Sequence, residues 1–536
     1  MKKIVVLASL FIIGNLYSQT KNVSQVWVSD NGDGTYTNPI LHADYSDPDV
    51  VRVGDDYYMT ASSFTCTPGL PILHSKDLVN WDLVNYALPK QVPLDVFDKP
   101  QHGKGVWAPC IRYHNGEYYI YYPDPDFGIY MIKTKDPKAA WSEPVLVKGG
   151  RGLIDPTPLW DDDGQVYLAY AFAGSRAGIK SLLVIASMND EGTKTNDDEV
   201  MIIDGHDGED TIEGPKFYKR NGYYYIFAPA GGVATGWQTI LRSKSVFGPY
   251  EKKKVLHQGA TDINGPHQGA WVETQTGEDW FIHFQDKGAY GRIVHMQPMH
   301  WEKDWPVMGV NQSKDGVGEP VTTYKKPNVG KTYNIVTPPD SDEFNTPKVG
   351  LQWQWQANNQ VYWGFPTSMG HFTMYCRPLS EEANNIHEVP NLLLQKFPAE
   401  TFTATSKVTF NARHDGEKVG FLVMGLDYSY LQMKQENGDL FLSQVTCMDA
   451  DKGTKERTGE KVKLKTNTIY LQVRVSEGGH CDFYYSLNNK KFTKLGETFT
   501  AREGKWIGAK VGFMALREGI INDSGSLDID WIRFTK

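Results

Sequence analysis

The chain has 536 residues, 40% of them hydrophobic and 22% charged, which is ordinary globular usage and excludes a disordered chain. Its 55 Lys and Arg stand against 64 Asp and Glu, and the net charge of −9 excludes the broad basic face of a nucleic-acid binder. With 15 Trp, 29 Tyr and 23 Phe it is rich in aromatics, which suit strands and stack on flat apolar faces such as sugar rings.

Lys2 and Lys3 precede an apolar run from Ile4 to Ile13, and small or polar residues follow up to Gln19. This reads as a secretory signal over residues 1–18, cleaved after Ser18, so export to the periplasm or the medium is expected. The run is too short to span a bilayer, and no later stretch approaches eighteen continuous apolar residues, so no membrane span is expected.

From residue 36 to about 320 one pattern recurs: an apolar–aromatic strand, a polar turn carrying Gly, and a Tyr-rich strand. The copies start at Val50, Ile111, Leu159, Lys216 and Trp271, with turn glycines at Gly54, Gly116, Gly164, Gly222 and Gly277. Each reads as a β-hairpin. Further strand signals follow several copies, as in His74–Val84, and complete units of about four strands. Five such units, none able to bury its own faces alone, predict an all-β, five-bladed β-propeller. Residues 321–340, rich in Lys, Pro and Gly, read as a linker. Beyond it, over 341–536, longer alternating strands at Thr401–Asn411, Gly420–Leu426, Tyr428–Lys434, Leu440–Val445, Ile469–Ser476 and Ser526–Phe534 predict a β-sandwich of jelly-roll type. The five cysteines are scattered, without a CxxC pair, and read as buried free thiols, with one disulfide in an oxidising compartment as the alternative.

Propellers set the innermost strand of each blade around a central channel, so the residues just ahead of each hairpin carry the chemistry. Asp47, Asp155 and Glu213 lie seven to nine residues upstream of their turn glycines, and His267 lies ten upstream of its own. Asp-Pro and Glu-Gly-Pro are common turn sequences, and any one acid alone is explained that way. Three acids in register are not, because gathering like charges costs energy. Glycoside hydrolysis needs two carboxylates, one as acid and one ionised; a divalent cation is the competing use of the same donors. Glu209 and Asp210 are the rival acids in the fourth blade. Asp161–Asp163 reads as a solvated turn, Asp30–Gly34 as a turn rather than a calcium loop, and Asp49 as a structural partner for Arg52.

The stretches Tyr45–Phe64, Gly152–Trp160, Ile212–Phe227 and Gly288–Pro306 resemble glycoside hydrolase family 43, and the match runs from about Asn38 to Met308. The segments at Ser341–Asn345, from Leu351 and near the C-terminus resemble that family's accessory β-sandwich. The resemblance implies an exo-acting, inverting hydrolase of hemicellulose oligosaccharides or polysaccharide side chains. It would remove terminal α-L-arabinofuranosyl residues, with β-D-xylosyl close behind. The resemblance further implies Asp47 as the base that activates water, Glu213 as the acid, and Asp155 as the group that tunes and orients Glu213. Arg292 corresponds to an arginine that binds a sugar hydroxyl, with an outer-blade ion pair as its plain alternative. Phe64 and Trp107 read as apolar walls or as propeller core. His267 corresponds to a histidine that in some relatives contacts a central calcium, so a structural Ca2+ is the one ion expected and no cofactor is required. A non-catalytic carbohydrate-binding propeller is the alternative function.

Overall fold

The computed structural model describes residues 23–310, 316–380, 383–519 and 522–536. The expected signal over residues 1–18 lies outside the described residues. Five four-stranded antiparallel sheets form the first half. Blade 1 is Asp49–Val53, Asp56–Thr60, Gly69–Ser75 and Trp81–Leu88; blade 2 is Cys110–His114, Glu117–Asp124, Gly128–Thr134 and Val145–Gly149. Blade 3 is Leu153–Trp160, Val166–Phe172, Leu182–Met188 and Val200–Asp204; blade 4 is Lys216–Arg220, Tyr223–Ala230, Trp237–Ser243 and Glu251–His257. Blade 5 is His267–Glu273, Asp279–Asp286, Arg292–Glu302 and Trp305–Met308. First strands of successive blades pack in a ring that closes from blade 5 onto blade 1. The turn glycine of every first hairpin has φ between +62° and +86°, the left-handed region a tight strand reversal demands. Apolar clusters such as Tyr58, Ile72, Ile111 and Ile120 fill the space between blades, so each sheet is stable only against its neighbours.

The second half is a sandwich of a nine-stranded and an eight-stranded sheet. Its expected strands are observed at Phe402–Asn411, Lys418–Met424, Tyr428–Glu436, Asp439–Cys447, Thr468–Ser476 and Ser526–Thr535. The strict in–out burial of Phe402–Asn411 reflects one face on the core and one on solvent. All five cysteines are free and buried.

Residues 321–340 do more than space the two halves. Thr323–Lys325 pairs with Thr35–Thr37, and the Lys326 ammonium lies between Asp30 Oδ2 (2.5 Å) and Asp77 Oδ2 (3.0 Å). Gln275 Nε2 and Thr276 Oγ1 donate to the carbonyls of Val329 and Asn328. The segment is a strap across blades 1 and 5, and the Asp30–Gly34 turn is one of its anchors.

The two halves are docked by backbone as well as side chains. Thr67 and Trp355 exchange both N–H···O bonds (3.0 and 2.7 Å), Ala509 N–H donates to Ala289 O, and His102 stacks on His387 at 3.7 Å. Tyr290 and Ile293 of the propeller sit inside the sandwich core. Burying such side chains is worth about 1.5–3 kcal/mol each, so the halves share one hydrophobic interior.

Candidate active site

Asp47, Asp155, Glu213, His267 and Arg292 converge on one cavity of about 240 Å3, walled by Phe64, Trp107 and Trp506. The propeller explains the convergence: each acid sits where the innermost strand begins. Local backbone then turns each one inward. Asp47 (φ +55°) and Asp155 (φ +57°) both occupy the left-handed region, which non-glycine residues avoid and which is tolerated here by the surrounding sheet. A register break between Ile154 and Thr157 frees Asp155 from the ladder. Gly214, at φ +58°, has no room for a side chain, because a Cβ there would come within 2.4 Å of Gln268 Cγ.

Asp47 is 4% exposed. Its Oδ2 accepts from the hydroxyls of Ser46 (2.6 Å) and Ser62 (2.5 Å), and Arg292 Nη1 lies 3.2 Å from Oδ1. Arg292 also donates to Ser46 Oγ at 2.9 Å, and its guanidinium lies over the Phe284 ring at 4.8 Å. Arg292 is therefore an inner-pocket residue paired with Asp47, and the outer-blade ion pair is not what forms. Asp155 accepts the Gly214 N–H at 2.7 Å through Oδ2. Burial, then the charges of Glu213 and Asp47, push the Asp155 carboxyl up, although the Gly214 N–H acts the other way. The Asp155 carboxyl, pushed up to about 8, therefore keeps its proton above the usual carboxylate range. Glu213 is the more exposed partner, its side chain 26% accessible, and His267 Nε2 lies 3.0 Å from its Oε1. The arrangement offers an oriented carboxylate at Asp47 and, across the cavity, Glu213 beside a proton-bearing Asp155.

A group whose folded-state value is raised contributes stability that is complete at low pH and lost as pH rises. Asp155→Asn is therefore expected to melt at a higher temperature than the parent chain at about pH 8, the gap closing toward about pH 4. Thermal melts across that range, paired with rates, check this: stability should rise while activity falls.

The remaining expectations divide. Phe64 (2% exposed, φ +50°) and Trp107 line the cavity, with ring centroids 6.3 Å apart. Glu209 is excluded as a rival acid, because its Oε2 is taken by Thr239 Oγ1 (2.7 Å) and Trp237 Nε1 (3.1 Å), and Asp210 faces solvent. Asp49 does not pair with Arg52. Its Oδ2 accepts from Ile111 N and Arg112 Nη1, both at 2.7 Å, while Arg52 donates to Gly54 O. Residues three apart on a strand face opposite sides, so Asp49 and Arg52 could not meet. Asp161 is buried rather than solvated, bound by Lys219 and by Tyr224 Oη; only Asp162 and Asp163 of that turn face water.

His267 was the one expected metal contact. Its Nδ1 is buried without a partner, yet calcium takes six to eight oxygen ligands. Among the described residues no three His, Cys, Asp or Glu converge as a metal cage. The observed contact of His267 is with Glu213, through Nε2 at 3.0 Å.

Two features of the site have no signal in the sequence. Trp506 comes from a loop of the sandwich, with its ring 6.1 Å from Trp107 and 5.7 Å from the Arg292 guanidinium. Asp44 holds that loop down: its Oδ1 accepts from Arg292 N (2.9 Å) and its Oδ2 from Gly508 N (3.0 Å).

Comparison with known proteins agrees with this geometry. Residues 36–306 match the model of glycosyl hydrolases family 43, and residues 341–535 match the β-xylosidase C-terminal concanavalin A-like domain. A protein of Xylanibacter ruminicola that carries a β-xylosidase name is 37% identical over 90% of this chain and 86% of its own. A β-xylosidase of Formosa agariphila is 31% identical over 94% and 91%. A non-reducing end α-L-arabinofuranosidase of Bacteroides ovatus is 28% identical over 93% and 94%. Among solved structures, the BlXynB protein of Bacillus licheniformis aligns with a TM-score of 0.80 at 27% identity, over 94% of this chain and 99% of that one. With its three carboxylates at the inner edges of a five-bladed propeller, the chain belongs to glycoside hydrolase family 43, among the xylosidases and arabinofuranosidases.

Proposed function

We propose that the protein is an exported, exo-acting, inverting glycosidase that removes terminal β-D-xylosyl residues from xylan-derived oligosaccharides, with α-L-arabinofuranosyl as the second substrate. This order reverses the one implied by the sequence resemblance. The reason is that the two relatives above 30% identity with the widest coverage carry β-xylosidase names, while an arabinofuranosidase name appears at 28%. The observation that carries the reading is the set of three carboxylates in a cavity of about 240 Å3 walled by Trp506 of the second domain. Small-molecule sites run to about 300–1,000 Å3, so this one suits a terminal sugar better than the middle of a polymer.

In the proposed reaction Asp47, oriented by Ser46, Ser62 and Arg292, takes a proton from water as that water attacks the anomeric carbon. Glu213 gives its proton to the departing oxygen, and Asp155 and His267 hold Glu213 in position. One glycosidic bond and one water become a free sugar and a free hydroxyl, with inversion. The proposed steps use only these side chains and water.

The test is hydrolysis of the 4-nitrophenyl glycosides of β-D-xylose and α-L-arabinofuranose, with the first-formed anomer read by NMR. Faster release of xylose as its α-anomer is the expected outcome. Sugar binding by calorimetry without release of either pentose would instead favour the non-catalytic binding propeller. Trp506→Ala is expected to raise KM on short xylosides about threefold to tenfold, the worth of an aromatic contact of roughly 0.5–1.5 kcal/mol. Steady-state kinetics check it, and a loss confined to kcat would count against a stacking wall.

A further inference from the structure

Lys510 belongs to the sandwich strand Lys510–Arg517, and Cys66 follows the propeller segment that carries Phe64. Lys510 Nζ lies 2.7 Å from Cys66 Sγ, across the interface between the halves. Both residues are 4% exposed. Among the described residues no carboxylate pairs with Lys510, and its side-chain partner is the sulfur. The separation is short for sulfur. Elsewhere in this protein thiols sit 3.1 Å from Thr454 O, 3.3 Å from Gly479 O and 3.5 Å from Thr157 Oγ1, as the larger atom requires. A nitrogen as near as 2.7 Å has the spacing of two atoms joined through a third.

The geometry points to a covalent nitrogen–oxygen–sulfur bridge between Lys510 and Cys66, formed when the protein meets dioxygen. The thiol gives up its S–H and the amine one N–H. One atom of dioxygen becomes the bridge through new S–O and O–N bonds, and the other leaves as water. Thiol, amine and one O2 thus yield S–O–NH and one H2O; sulfur and nitrogen are oxidised and dioxygen is reduced. Two equivalents of a dithiol reverse it, returning thiol, amine and water with two disulfides. Lys396 is the cross-strand neighbour of Lys510. A cavity of about 60 Å3 lined by Tyr45, Tyr86 and Lys396 lies at the same interface. The bridge would tie together two walls of the active site: Cys66 lies two residues from Phe64, and Lys510 four from Trp506.

The test is the intact mass of the full chain equilibrated with dioxygen and kept from reductant, compared with the same sample after dithiothreitol. The expected mass exceeds that of the reduced chain by one oxygen less two hydrogens. Digestion should yield a joined pair of peptides, one with Cys66 and one with Lys510, that separates on reduction. Alkylation in denaturant should then label all but one of the five cysteines before reduction and all of them after. Cys66→Ser and Lys510→Arg should each lose the mass difference. A chain of reduced mass whose five thiols all label without reductant would overturn the bridge and leave a non-covalent contact. So would an oxidised Cys66 that persists in Lys510→Arg, which would be a lone sulfenic acid. If neither variant folds, the masses of the parent chain decide alone.

Discussion

Glu213→Gln is expected to lower kcat on xylo-oligosaccharides by about 10²–10⁴-fold, the range general acid catalysis supplies, with little change in sugar binding. Glutamine keeps the shape and can still accept from His267 Nε2, which lies 3.0 Å from Glu213 Oε1. It cannot hand over a proton. The size of the loss should depend on the leaving group: an alkoxide needs that proton, whereas a 2,4-dinitrophenolate departs without it. Rates of the variant on an oligosaccharide and on a 2,4-dinitrophenyl xyloside measure this directly. A loss that is equal on the two would remove Glu213 from the role of acid.

Asp47→Asn is expected to lower kcat by a comparable 10²–10⁴-fold, roughly, but on good and poor leaving groups alike. The water must be activated whichever group departs. The variant should also fold, since an amide can accept from Ser46 and Ser62 as the carboxylate does. It leaves Arg292 without its counter-charge in a buried site, so some stability is expected to be lost. Kinetics on both leaving-group classes, together with a thermal melt, separate the two effects. A variant that spares the poor leaving group would exclude Asp47 as the base.

The contrast between these carboxylates and their neighbours shows how far sequence reasoning reaches. Asp47, Asp155 and Glu213 were legible because a propeller repeats one local pattern, so similar offsets of seven to nine residues from three of the turn glycines translate into similar heights in the channel. In the sequence Gly214 is one residue of a turn, and its need for a missing side chain is visible only against Gln268. Asp49 illustrates the opposite limit. Its neighbours in sequence suggested Arg52, yet strand pleating sends Arg52 to the other face and the carboxylate is met by Arg112 from the next blade. Asp161 was misread for the same reason, since Lys219 and Tyr224 reach it from blade 4.

Strand, turn and blade are local matters, decided by side-chain alternation and by glycines at φ near +62° to +86°, and the sequence alone determined them. It likewise determined the two halves, because the strand texture changes between them. What only the tertiary structure decided is the docking of those halves. Trp506 completes a pocket whose other walls lie some 400 residues earlier in the chain, Asp44 pins its loop through Gly508, and Lys510 meets Cys66. Such contacts follow from how two preformed surfaces pack, and packing complementarity leaves no period or spacing in either segment.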